Sequence, residues 1–451
     1  MSYSLLCDVS APLPLDGLKN VPWTTVRIAF YGAETAMTAM ITKLLLATWA
    51  LPLFATASDP SEWEVADLPG LQEQINFKHY SGYLNIANGG ALHFWFMESQ
   101  RSPSEDPVIL WLSGGPGCSS LIAAVAEQGA FRVGYQGINM TVNPYSWNKV
   151  ANIIFLESPL GVGFSYDHSD NYTTNDTKTT HDNYLAVLKF FDHFENFRQN
   201  DFYIMGESYA GVYVPLLVKR VLQDPHGINL KGYAIGNGAM DEQLIGNSIV
   251  FFAYYHGLVS NRLWKEVTTN CCNGSISEET CDFGWHNKNT ACTNPVSEVN
   301  NIVLNSGLNV YNLYDPCSYD DPSNTTLAAR YPKTTRQYAS LQLLRKLLRI
   351  PFKEPGPATP QCVDQDRLQL YLNRNDVTSA LHVEQCPVTW TPCNSDMTYN
   401  QQYPTMREVV QELAETGGLK ALIYNGDVDM ACNFLGDEWF VRSLGYEPTS
   451  E

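Results

Sequence analysis

Ser208 stands in the pentapeptide Gly206-Glu207-Ser208-Tyr209-Ala210. An apolar run, DFYIM (201–205), precedes it and a segment of helical pattern, AGVYVPLLVKRVL (210–222), follows. A serine between small residues at a strand-to-helix turn presents its hydroxyl as a nucleophile, the small neighbours being required because the turn is tight and strained. The pentapeptide alone also fits an ordinary turn serine; the flanking strand and helix favour the nucleophile. Such a nucleophile needs an oxyanion hole, a base, and an acid that orients the base. The loop LSGGPGCSS (112–120) follows an apolar run, and its glycines let a backbone amide approach a developing oxyanion. The segment NGDVDMACN (425–433) follows another and offers Asp427 and Asp429.

Positioning these groups requires a sheet. Apolar runs at 91–98, 107–114, 152–159, 201–208, 230–238 and 420–427 read as strands of a mostly parallel sheet, the first as a possible antiparallel strand at its edge. Helical stretches such as DNYLAVLKFFDHF (182–194) lie between them, which predicts an α/β architecture. Residues at the same end of parallel strands converge there. Between 239 and 375 the rhythm breaks, and this stretch reads as an inserted cap tied by disulfides. The predicted organisation is a leader (1–57), a first core part (58–238), the cap (239–375) and a second core part (376–451). Within the cap, TTRQYASLQLLRKLLRIPFKEPG (334–356) reads as a solvated basic helix or a site of proteolytic processing.

A formal charge of −19 argues against general nucleic-acid binding and suits an acidic or extracytoplasmic setting. Residues 40–57 combine a lysine, an apolar run and Ala55-Thr56-Ala57, the pattern of a signal peptide, placed behind 39 other residues. Nothing later is long and apolar enough for a membrane anchor. Ten of the eleven cysteines follow the leader. Cys271, Cys272, Cys281 and Cys292 lack paired C-x-x-C spacing and a nearby histidine ligand, so two local disulfides are favoured over a metal site. Sequons at Asn139, Asn171, Asn175, Asn273 and Asn324 add glycosylation acceptors of a secretory product.

Taken together, WLSGGPGCSS, ESPLGVGFSY, GESYAG and YNGDVDMACNFLGDEWF resemble the serine carboxypeptidase family. NPYSWN, VFFAYYHGL, the paired-cysteine cluster and NSGLNVYNLYDPC extend the likeness from about residue 68 to 440. The resemblance implies an α/β-hydrolase fold with a disulfide-linked cap, and an acyl-enzyme mechanism without cofactor or metal. Ser208 would be the nucleophile, Asp429 the acid orienting a histidine, and the amides of Gly115 and Tyr209 the oxyanion hole. Ser113, Gly114, Glu127 and Glu207 would read the terminal carboxylate of a peptide. Shared protons on the two glutamates would favour binding in acid. The implied disulfides are Cys118–Cys393, Cys271–Cys292, Cys272–Cys281 and Cys317–Cys362, with Cys432 free and buried; Cys386 has no implied partner. Implied partners are peptides with a free C-terminus, a second copy of the chain and lysosomal glycosidases; the implied location is the lysosome or the exterior.

Two departures stand out. Ser113 occupies the position where the family carries asparagine, which predicts weaker carboxylate recognition. The family order is serine, aspartate, histidine, yet the 22 residues after Asp429 hold no histidine, and all nine histidines precede it. None of the nine sits in a glycine-flanked loop of the family's kind. The expectation is a chain ended by alternative splicing or a truncated gene model, with an uncovered outer sheet region and very low peptidase activity. Outside peptidases, two readings compete: a lipase or esterase, and a non-enzymatic stabilising partner of lysosomal glycosidases.

Overall fold

Eight strands build the main sheet: β1 (His79–Asn85), β2 (Gly90–Met97), β3 (Val108–Leu112), β4 (Asn152–Leu156), β5 (Tyr166–Asp167), β6 (Phe202–Ser208), β7 (Leu230–Gly238) and β8 (Lys420–Tyr424). This is a computed structural model describing residues 60–86, 89–169, 171–278, 280–284, 287–305, 307–315, 365–383 and 388–447. The order across the sheet is β1-β2-β4-β3-β6-β7-β8, with β5 also paired to β2. β3, β4, β6, β7 and β8 run parallel, whereas β2 is antiparallel to β1, β4 and β5. The run at 91–98 is thus antiparallel as expected, but it is not the edge. β1 lies outside it, a strand whose sequence HYSGYLN is too polar to declare itself.

Every residue of β2, β3 and β4 is buried, which is why these segments read as unbroken apolar runs. Successive side chains face opposite sides of the sheet. Phe94, Phe96 and Leu110 enter one core with Tyr184, Phe190 and Leu217. Trp95, Ile109 and Trp111 enter the other with Leu121 and Phe131. The first face is covered by α2 (Asp176–His193) and α3 (Ala210–Gln223), the second by the short α1 (Leu121–Ala126). This is an α/β-hydrolase fold.

The region after β7 opens with α4 (Glu242–Tyr255), α5 (Asn261–Cys271) and α6 (Thr290–Asn305). Cys271–Cys292 and Cys272–Cys281 staple it locally, and Cys118–Cys393 joins segments 275 residues apart. The implied Cys317–Cys362 pair, Cys386, Asn324, the processing segment and the leader lie outside the described residues. The chain returns through α7 (Asp366–Leu372), α8 (Asn375–Ala380) and α9 (Arg407–Thr416) to β8, then enters α10 (Phe434–Ser443). Within the described part of the sheet β8 pairs with β7 alone, and its Leu422 is 56% exposed. Among the described residues no helix is long and apolar enough to cross a membrane.

Candidate active site

Ser208 ends β6 with φ of 58°, in the left-handed region that a side-chain-bearing residue seldom adopts. The turn into α3 works only because its neighbours are small. A Cβ on Gly206 would stand 2.4 Å from the Leu112 carbonyl oxygen and 2.6 Å from Ala210 Cβ. The 113–118 loop lies directly against this elbow: a Cβ on Gly114 would stand 2.4 Å from the Tyr209 amide nitrogen and 2.7 Å from Ser208 Cβ. The Tyr209 amide and the Gly115 loop therefore flank the serine, where amides can meet charge developing in a transition state.

Tyr209 is held from behind. Its hydroxyl donates to Asp176 Oδ1 at 2.6 Å, the Tyr399 hydroxyl donates to the same oxygen at 2.7 Å, and the Gln402 amide donates to Oδ2 at 2.6 Å. Asp176 is fully buried as the first residue of α2, where the helix N-terminus also favours a negative charge.

Asp429 follows β8 and is buried. Oδ1 accepts from the Ala431 amide at 2.8 Å, and Oδ2 accepts from Asn237 Nδ2 at 2.8 Å and the Cys432 amide at 3.3 Å. Burial outweighs these bonds and pushes its carboxyl up to about 6. Asp427, two residues earlier, is exposed and outside the cavity. The Cys432 thiol is free and buried, and it is pushed up by burial and then by the Asp429 and Asp437 charges, with the Ser208 hydroxyl pulling the other way.

A cavity of ≈ 350 Å³ gathers Ser113, Gly114, Gly115, Glu127, Glu207, Ser208 and Asp429, residues spread over more than 300 positions of sequence. Burial pushes Glu127 up to about 7 against the pull of the Arg132 guanidinium. Glu207 is raised well above the usual carboxylate range by burial, then by the charges of Glu127 and Asp429. Two carboxyls sharing one recess hold protons that isolated ones would lose. Ser113 is buried beneath them, its oxygen accepting from Trp111 Nε1 at 3.2 Å.

Sequence reasoning did not find Asn237, Asp176, Ile122, Tyr311 or Gln365. Asn237, at the Gly-Asn-Gly end of β7, had the most legible signal, because asparagine tolerates the left-handed backbone it adopts there. The Cys118–Cys393 bridge forms part of the cavity wall. No histidine lines the cavity among the described residues. His79 is buried against Trp95, and His93 is buried with its Nδ1 2.9 Å from Glu157 Oε2. His226 pairs with Asp224, His256 bonds its own helix, and His382 contacts the Glu64 carbonyl. Of the sequons, Asn139, Asn171 and Asn273 are exposed, while Asn175 caps α2 by accepting from the Lys178 amide.

The serine carboxypeptidase family matches residues 69–451. The chain is 41% identical over 425 residues to the lysosomal protective protein of Mus musculus, covering 91% of this chain and 86% of that one. It is 40% identical over 406 residues to serine carboxypeptidase ctsa-4.1 of Caenorhabditis elegans, covering 89% and 82%. Its fold is similar to that of a prohormone-processing carboxypeptidase from Saccharomyces cerevisiae, with TM-score 0.59 at 20% identity over 87% of this chain and 84% of that one. With a serine elbow, a buried aspartate and a carboxyl pair in one cavity, and with these matches along its length, the chain belongs to the serine carboxypeptidase family.

Proposed function

We propose that the site releases single amino acids from peptide C-termini in acid, through an acyl-enzyme on Ser208. The observation that carries this reading is that Glu127 and Glu207, both raised above the usual carboxylate range, line the same cavity as Ser208. A protonated carboxyl donates to a substrate carboxylate, whereas an ionised one repels it. Ser113 and the Gly114 backbone complete that end of the cavity. A neutral ester needs no such clamp, which disfavours the lipase and esterase reading.

Attack by Ser208 Oγ on the last peptide carbonyl forms the ester and breaks the C–N bond. The leaving amine takes the proton that Ser208 Oγ gives up, and water then cleaves the ester, its OH going to the acyl carbon and its proton returning to Ser208 Oγ. The amides of Gly115 and Tyr209 stabilise the oxyanion of both steps. Asp429 would orient and stabilise a protonated base. Among the described residues no histidine lines the cavity, and a site that works with these residues alone is slow. It keeps about 10³–10⁴-fold over water, the share owed to binding and the oxyanion hole.

An acidic compartment of the secretory route, such as the lysosome, fits the raised carboxyls, the disulfides and the mouse relative's name. The test is hydrolysis of a blocked apolar dipeptide near pH about 5, beside its C-terminal amide and methyl ester. Slow cleavage of the free acid that disappears in Ser208→Ala supports the reading. Equal rates in wild type and Ser208→Ala, or preference for the ester, refutes it.

A further inference from the structure

Linked to Asp429 lies another buried carboxyl that the proposed chemistry does not use. Asp437, on α10, is 3% exposed. Its Oδ2 accepts from the Gly238 amide at 2.8 Å and from Asn425 Nδ2 at 2.6 Å. Asn425 Oδ1 accepts in turn from Asn237 Nδ2 at 2.8 Å, the same nitrogen that donates to Asp429 Oδ2 at 2.8 Å. A continuous path of side-chain hydrogen bonds therefore runs from Asp437 through Asn425 and Asn237 to Asp429.

The other oxygen of Asp437, Oδ1, is buried without a partner, and so is Oδ1 of Asn433. Asn433 is the N-cap of α10, and Asp437 lies in the first turn that follows. A proton on Asp437 Oδ1 leaves that buried, unpartnered oxygen without a charge. A charge there leaves a buried acceptor unpaired, an arrangement that costs free energy.

We propose that Asp437 is a positioning residue for Asp429: as a neutral carboxyl it clamps Asn425 and the end of β7, and through Asn237 it fixes the orienting acid. The proposal deepens the reading of Asp429 as the acid of the Ser208 site and rests on it. Burial pushes the Asp437 carboxyl up to about 7, with the Asp429 charge adding to the rise, so the clamp is set in acid and released as pH rises past neutrality.

α10 packs on α4, β7 and β8. The charged residues on these elements are Glu242, Lys231, Lys420, Glu438 and Arg442, with Tyr233, Tyr254, Tyr255 and Tyr424 as the other titratable groups. Glu438 pairs with Arg442, Lys231 with Asp201, and Lys420 is exposed. The charge that bears on Asp437 is that of Asp429.

The Ala431 and Cys432 amides, both bonded to Asp429, report its alignment. Their hydrogen exchange is followed in the full chain near pH about 5 and about 8, corrected for intrinsic rates, for wild type, Asp437→Asn and Asn425→Ala. Wild type should lose roughly tenfold protection at the higher pH. Asp437→Asn, neutral and of the same shape, should keep its protection at both. Asn425→Ala should lack it at both, while β3 amides stay unchanged in every variant. Wild-type protection that ignores pH, or an Asn425→Ala chain that keeps it, overturns the proposal. Exchange needs no turnover, so this outcome is independent of the peptide assay that judges the carboxypeptidase reading.

Discussion

Asn237 donates to Asp429 across the end of β7, at 2.8 Å, from a backbone with φ of 43°. Replacing it by alanine removes a bond to a buried carboxyl and puts a residue without asparagine's tolerance into the left-handed region. Asn237→Ala should cost about 2–3 kcal/mol of stability, read by urea unfolding near pH about 5. It should also raise the Asp429 carboxyl further, because the Asn237 bond lowers it. An unfolding midpoint within error of wild type would remove Asn237 from the account.

Among the described residues five carboxyls, Glu98, Glu127, Glu207, Asp429 and Asp437, are raised on folding. A group raised on folding binds its proton more tightly in the native state. Its contribution is fully present below the unfolded value and is lost as pH rises through the folded one. Asp429 gives up its share by about 6, and Glu127 and Asp437 by about 7. His79 acts the other way: burial lowers it to about 4, so its contribution is lost as pH falls from its unfolded value of 6.5 through 4. The carboxyls outnumber it, and stability should fall by a few kcal/mol in order of magnitude between pH about 4.5 and 7.5. Chemical denaturation at the two pH values checks this; a flat or rising profile contradicts it.

Substrate binding should carry the same signature. A blocked dipeptide with a free C-terminus should bind Ser208→Ala at least roughly tenfold more tightly at pH about 5 than at about 8, by calorimetry. The double substitution Glu127→Gln with Glu207→Gln should flatten that dependence, because the amides cannot ionise. Unchanged pH dependence in the double variant would place carboxylate recognition elsewhere.

Ser113 reaches less far into the cavity than asparagine and already accepts from Trp111. Ser113→Asn should tighten the free-acid dipeptide by roughly tenfold, about 1–2 kcal/mol, and leave the methyl ester unaffected. Equal gains for both ligands would mean a general change of cavity shape.

The strands and elbow were legible because their signals are local. β3 and β4 are buried on both faces, and the residues around Ser208 must be small whatever lies beyond them. β1 was hidden because it combines Ser81 and Gly82 with aromatic residues, and pairing with β2 matters more than its own pattern. Glu127 came only through family likeness, since nothing at a helix end announces that the fold will carry it to Ser208. Asp176 and Asp437 gave no signal for a related reason. Each is an ordinary acid near the start of a helix in sequence, and each acquires its role from residues far along the chain. Tyr399 and Gln402 complete the first, and Gly238 and Asn425 the second.

The Cys118–Cys393 bridge stands in the cavity wall between the earliest and latest thirds of the folded chain. Its two halves leave the ribosome far apart in time, and they join only where thiols are oxidised. A nascent or mislocalised chain in the cytosol therefore lacks a finished substrate recess even after Ser208 has reached its elbow.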